Sequence, residues 1–209
     1  MKLYGDLKSG NCYKVALLLQ QLGTAYDCVN IDIMKDGTRT PEFLTKNANG
    51  KIPLLEISPG QYLPESNAIL WYLADGTQFL PQDKFQRAQI LQWLFFEQYS
   101  HEPYIATARF IKVYLGNPPE RQADLQQKIS RGYQAIDVME KHLAANKFFV
   151  GGRYSIADIG LYAYTHVAHE GGFDLAAYPY INAWLARVKG QAEYLAMPGK
   201  GSPRARETM

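Results

Sequence analysis

Residues 2 to 33 restrict the fold more than any other stretch, because they read as strand, helix and strand with almost nothing between them. "KLYG" is a short strand. After it Cys12, Val15, Ala16, Leu19 and Leu22 recur at i, i+3, i+4, i+7 and i+10, one apolar face of a helix that stops at Gly23. "YDCVNIDI" then places Val29, Ile31 and Ile33 on alternate positions, as a strand does. A helical crossover between strands of one sheet is nearly always right-handed, so the two strands should be parallel neighbours. In "TPEFLTKN", Thr40 is placed as N-cap and Pro41 at the first helical position, giving a short helix. "IPLLEI", the turn "SPGQ" and "YLP" read as an antiparallel hairpin, and "SNAILWYLAD" as a helix terminated by Gly76. The expected order is βαβαββα.

Past "GTQFLPQDK" no strand alternation returns. A long helix is expected from about Phe85, kinked or ended near "SHEPY" by Pro103. "LQQKISRGYQAIDVMEKHL" spaces Leu125, Ile129, Tyr133, Ile136 and Leu143 as the core stripe of a helix, and further helices are expected around 156–168 and 179–190. The fold class is therefore α/β plus all-α. An α/β domain spans 1–77 and an all-helical domain 84–209, with the boundary in the Gly- and Pro-containing stretch 77–84. The 209 residues suffice for two small cores, and 47% hydrophobic content excludes global disorder. A net charge of +2 gives no basis for nucleic-acid binding, and the basic tail "GKGSPRARE" reads as a solvated terminus. No apolar run is long enough to span a membrane, and "MKLYGDLKSG" lacks the apolar core of a secretory leader. Two cysteines, Cys12 and Cys28, without metal-ligand spacing point to a reducing cytoplasm and to no metal site.

"NANGKIPLLEI", followed by "LPESNAILWYL" and later by "YSIADIGLY", within this two-part pattern, resembles the cytosolic glutathione transferases, of the bacterial serine type or nu-like. The resemblance runs to about residue 190 and implies a thioredoxin-like first domain. It implies that Pro53 follows a cis peptide bond and that the backbone of Ile52 pairs with the cysteinyl part of glutathione as an added strand. It implies further that Ser66 and the amides of its helix hold the γ-glutamyl carboxylate while Glu65 takes the ammonium. Ser66 would serve equally as a plain N-cap. Lys51 stands where many relatives contact glutathione by side chain or backbone, which makes it a candidate partner for the glycyl carboxylate or else a plain surface lysine, and Thr38 stands where many place a histidine toward the glycyl end, which leaves that end of the ligand less defined.

"LKSGNCYKVALLLQQLG" holds the reactive turn that the resemblance implies. A C-x-x-C redox pair needs a cysteine at its first position; Ser9 stands there, so a Ser9–Cys12 disulfide is excluded. A hydroxyl at a helix N-terminus can instead donate to the sulfur of bound glutathione and favour thiolate. A thiol of pKa ~8.5 is roughly 3% ionised at pH 7, and a fall of ~2 units, about 2.7 kcal/mol, makes it mostly thiolate. "SGNC" fits the register of the serine type, and Ser9 followed by Asn11 fits the hydroxyl-x-Asn pattern of the nu type. The expected catalytic pair is Ser9 with Asn11 as second donor. Tyr4 is the alternative, and Cys12 reads as packing.

On the acceptor side the resemblance implies a pocket to which Tyr104, Ala108 and Arg109 would contribute, although the same spacing suits helix packing. "YSIAD" reads as a capping box, Ser155 with Asp158, flanked by Tyr154 and Ile159 as a hydrophobic staple. The expected activity is conjugation of glutathione, as co-substrate, to small apolar electrophiles, with no bound cofactor. Glutathione-dependent reduction of disulfides or peroxides and a non-catalytic binding role are the alternatives. A homodimer is also implied.

Overall fold

The computed structural model describes residues 1–199. The basic tail from Lys200 onward, expected to be a solvated terminus, lies outside the described residues. Two compact units are present. One comprises Met1–Asp75 together with the segment that begins at Ala192, the other Gly76–Gln191. The helical unit thus ends before the chain does, short of the 84–209 span expected from the sequence.

The first unit is a four-stranded sheet in the order β2-β1-β3-β4. β1 (Lys2–Gly5) pairs parallel with β2 (Asp27–Asn30), and antiparallel with β3 (Leu54–Ser58), which in turn pairs antiparallel with β4 (Gln61–Pro64). Helices α1 (Gly10–Gln21), α2 (Pro41–Lys46) and α3 (Ser66–Ala74) complete the βαβαββα order. This mixed sheet with its helices is the thioredoxin-like arrangement. Thr40 caps α2 through a bond accepted from the Phe43 N–H, with Pro41 at the helix start.

Two expectations change in detail. β2 ends at Asn30, because Asp32 accepts from the Met34 N–H at 3.0 Å and turns the chain into a single 3₁₀ turn at Ile33–Lys35, removing Ile33 from the strand. α1 is not amphipathic in the expected way: Tyr13, Lys14, Leu17 and Leu18 are as fully buried as Cys12, Val15, Ala16 and Leu19. Leu3, Val15, Ala16, Leu19, Leu55 and Ile69 form the core beneath it, and Leu195 from the returning C-terminal segment packs against the same cluster.

The second unit contains α4 (Lys84–Phe96), α5 (Glu102–Arg109), α6 (Gln122–Leu143), α7 (Ile156–Thr165) and α8 (Pro179–Lys189). Pro103 neither ends the long helix nor leaves it regular. A π turn at Glu97–His101 precedes it, closed by the Glu102 N–H on the Glu97 carbonyl, and the widened register absorbs the amide that proline lacks. A second π turn follows at Phe110–Tyr114. No helix among the described residues is long and apolar enough to cross a membrane.

Candidate active site

Ser9 is the N-cap of α1, with extended backbone (φ −76°, ψ 128°), and its hydroxyl makes no bond to the helix's own amides. Its carbonyl accepts from the Cys12 and Tyr13 N–H groups at 3.1 and 2.8 Å. The preceding turn is held by Asp6, whose carbonyl accepts from the Ser9 N–H at 2.8 Å and whose carboxylate accepts from the Lys8 N–H at 2.9 Å. The Asp6 backbone and the Ser9 side chain favour the ionised Cys12 sulfur. Burial nevertheless pushes the Cys12 thiol up to about 12, against the opposing bonds from the Asp6 backbone and Ser9, so at neutral pH it stays protonated. Cys12 lies against Gly5, where a Cβ would come within 2.5 Å of its sulfur.

Asn11, the second residue of α1, accepts from the Ser66 hydroxyl at 3.3 Å. This bond joins the N-terminal turns of α1 and α3, whose dipoles favour an anion. Ser66 is the first helical residue of α3, and the N-cap is Glu65. Glu65 has φ +69° and ψ 110°, a backbone conformation outside every region that suits a residue with a side chain. Its carboxylate accepts from Asn49 Nδ2 at 3.5 Å.

The Ile52–Pro53 bond is cis. Among the described residues neither the N–H nor the C=O of Ile52 has a backbone hydrogen-bond partner, so its edge is open to an extended peptide. The loop leading there is built by Asn47, which accepts from the Asn49 N–H at 3.1 Å and donates to the Lys51 carbonyl at 2.8 Å. Lys51 itself is exposed. Beside it Arg39 lies over Gly50, where a Cβ would stand 2.5 Å from Nη1; the guanidinium could shift to admit one, and it is the φ of +60° that favours glycine there.

Tyr4 is unsuited to thiol activation. Its hydroxyl donates to Glu56 at 2.8 Å, and burial together with that carboxylate pushes it up to about 12. In the helical unit, Ala108 has no exposed surface, and Arg109 is buried and paired with Glu170 at 2.7 Å. Tyr104 stays half-exposed, with Lys128 Nζ 5.7 Å and the Arg131 guanidinium 5.9 Å from its ring centre.

Sequence reasoning missed Arg39, Asn47 and Asn49. The "NANG" string carried a signal for the last two, since Asn closes its own loop by side-chain bonds, but nothing in "TRTP" indicated that Arg39 reaches Gly50.

Residues 1–75 match the family model of the glutathione S-transferase N-terminal domain, and residues 122–187 that of the C-terminal domain. The chain is 57% identical to a glutathione S-transferase from Pseudomonas fluorescens Pf-5, whose crystal structure superposes with a TM-score of 0.92 over 94% of this chain and 98% of that one. A glutathione transferase from Pseudomonas putida, crystallised with one glutathione disulfide bound per subunit, is 30% identical with a TM-score of 0.80, over 92% of this chain and 87% of the other. The disulfide-bond oxidoreductase YfcG of Escherichia coli K12 is 32% identical over 87% of this chain and 86% of its own length. The domain order, the two joined helix N-termini and these likenesses across nearly the whole length lead to one conclusion: the chain belongs to the glutathione S-transferase family.

Proposed function

We propose that the protein binds glutathione along the open edge at Ile52 and the N-termini of α1 and α3, and that Ser9 activates its thiol for attack on a small electrophile. The observation that carries this reading is Ser9 at the N-cap of α1, where its side chain makes no capping bond and the helix N-terminus favours an anionic sulfur. On binding, its hydroxyl donates to the glutathione thiolate. Asn11 and Ser66 hold the γ-glutamyl carboxylate, Glu65 with Asn49 takes the ammonium, Ile52 pairs with the cysteinyl peptide, and Pro53 fixes the edge. Lys51 and Arg39 meet the glycyl carboxylate, filling the role left open by Thr38. The thiolate then attacks the electrophilic carbon: a C–S bond forms, the leaving group departs with its electron pair, and the thiol proton goes to solvent. Orientation and thiolate formation supply the rate enhancement.

A second reading, reduction of a mixed glutathione disulfide, is favoured by the hydroxyl-x-Asn pattern of Ser9 and Asn11 and by the 32% identity to the disulfide-bond oxidoreductase YfcG. In this reaction the thiolate attacks the glutathione sulfur of the mixed disulfide, the S–S bond breaks, glutathione disulfide forms, and the other sulfur leaves as a thiolate that takes a proton from solvent. Paired assays decide between the two: chlorodinitrobenzene conjugation and reduction of a mixed glutathione disulfide, each run with the same enzyme. Glutathione that fails to bind in calorimetry contradicts both.

The same reading includes a cytoplasmic homodimer. Phe85, Phe95 and Tyr99, 70%, 69% and 84% exposed, share one side of the long helix, an aromatic face suited to a second copy. Light scattering at micromolar concentration should give twice the chain mass, and a monomer would contradict it.

A further inference from the structure

Tyr13 is fully buried, and its hydroxyl donates to the Leu195 carbonyl at 2.7 Å across 182 positions of sequence. A phenol buried without an acceptor is costly, so this bond fixes where the returning C-terminal segment lies. The backbone N–H of the same residue donates to the Ser9 carbonyl at 2.8 Å, the first intrahelical bond of α1. One residue therefore grips the chain end with its side chain and the reactive turn with its backbone. The packing repeats the connection: Leu195 and Leu7, which stands two residues before Ser9, both lie against the cluster of Leu3, Val15, Ala16, Leu19, Leu55 and Ile69. Two weaker contacts attach the segment farther down α1, Gln20 Nε2 to Glu193 at 3.4 Å and Gln21 Nε2 to the Ala192 carbonyl at 3.3 Å.

We propose that the segment from Ala192 to Gly199 is a positioning element for thiol activation, with Tyr13 as the positioning residue that transmits its hold on α1 to Ser9. The proposal rests on Ser9 being the thiol-activating group. Without the Leu195 bond the first turn of α1 loses one of its two anchors, and the Ser9 hydroxyl samples directions that miss the glutathione sulfur. A misdirected donor leaves ligand binding by the α3 side intact and weakens only the charged form of the thiol.

The test is the pH dependence of turnover and the ultraviolet thiolate absorbance of bound glutathione, measured for wild type, Tyr13→Phe and Leu195→Ala, with Gln126→Ala and Gln127→Ala, exposed positions of α6, as controls. Tyr13→Phe keeps the ring and removes the bond; Leu195→Ala loosens the segment while keeping Tyr13. Both should raise the pKa of the bound thiol by roughly half a unit to one unit, a threefold to tenfold loss of turnover on the acid side, with KM for glutathione changed less than about twofold and activity recovered at higher pH. The controls should leave the pH profile where it is. An unmoved profile in Tyr13→Phe overturns the proposal even if thermal stability falls, and so does an equal shift in the controls, which would mean general loosening. If bound glutathione gives no thiolate signal in wild type, the reading of Ser9 fails first and the proposal with it.

Discussion

Glu65 makes the conflict between stability and function explicit in one residue. Its φ of +69° costs roughly 1–3 kcal/mol for a residue with a side chain, while glycine would adopt it freely. Glu65→Gly should therefore raise thermal stability by about 1 kcal/mol, after the entropic cost of an added glycine, yet weaken glutathione binding by removing the carboxylate proposed to meet the ammonium. Calorimetric affinity and melting of the same variant check both halves, and a parallel fall in both would show that the conformation is not strained. Cys12→Ala should leave the pH profile of turnover intact to within about twofold, since a thiol held near 12 by burial takes no part in proton transfer at neutral pH. At this scale the places of Ser9, Glu65 and Ser66 beside helix starts were legible from the chain, while their roles came from the family resemblance. Arg39 was not, because its approach to a glycine eleven positions away is not written in local pattern.

At the level of elements, the α7 N-terminus shows how much a sequence motif can understate. Ser155 and Asp158 form the expected capping box, the Ser155 N–H donating to the carboxylate at 3.0 Å. The same carboxylate also accepts from the Phe149 N–H at 3.1 Å and the Trp184 indole N–H at 3.0 Å, tying the loop before α7 and helix α8 to one buried group. Tyr154 packs against the rings of Phe79 and Phe148. Asp158→Ala would strand four buried donors, the Ser155 hydroxyl included, so it should cost more than about 3 kcal/mol where a cap alone costs about 1. Chemical denaturation measures this, and a loss near 1 kcal/mol would mean that Phe149 and Trp184 find other acceptors. The helix periods and the cap were readable from local pattern. The joins to Phe149 and Trp184 were not, because they span 9 and 26 positions and follow only from packing. The π turns escaped for a similar reason: Pro103 announces a lost amide, but only neighbouring helices decide whether the chain breaks or widens.

For the whole molecule, two buried groups in the helical unit give opposing pH dependence. Burial pulls the His166 imidazole from about 6.5 down to about 4, while its Nδ1–H donates to the Tyr162 carbonyl at 2.8 Å. Between those values the unfolded chain binds a proton that the folded one does not, so this residue's contribution falls as pH falls, by about 1.4 kcal/mol per unit at full difference. Burial pushes Asp158 from 3.8 up to about 6, so there the folded form holds the extra proton and the contribution falls as pH rises. The two nearly cancel between about 4 and 6. His166→Gln should remove one side: relative to wild type it gains stability as pH falls from about 6.5 to 4, by up to about 3 kcal/mol, in urea unfolding at several pH values. A constant difference across that range would contradict the assignment. The division into two units was legible from the change in pattern after residue 76, but the return of the chain from Ala192 to the first unit was not, since "AEYLAMPG" has no periodicity and its place is fixed by Tyr13. The central claim at this scale is that a serine hydroxyl, and no thiol of the protein, makes glutathione reactive. It is tested most directly by titrating the thiol of enzyme-bound glutathione in wild type and Ser9→Ala. Wild type should show a pKa about 2 units below the free thiol, and Ser9→Ala should return it most of the way, with turnover at pH 7 down roughly tenfold to a hundredfold and glutathione affinity little changed. Identical titration curves in the two proteins would contradict it.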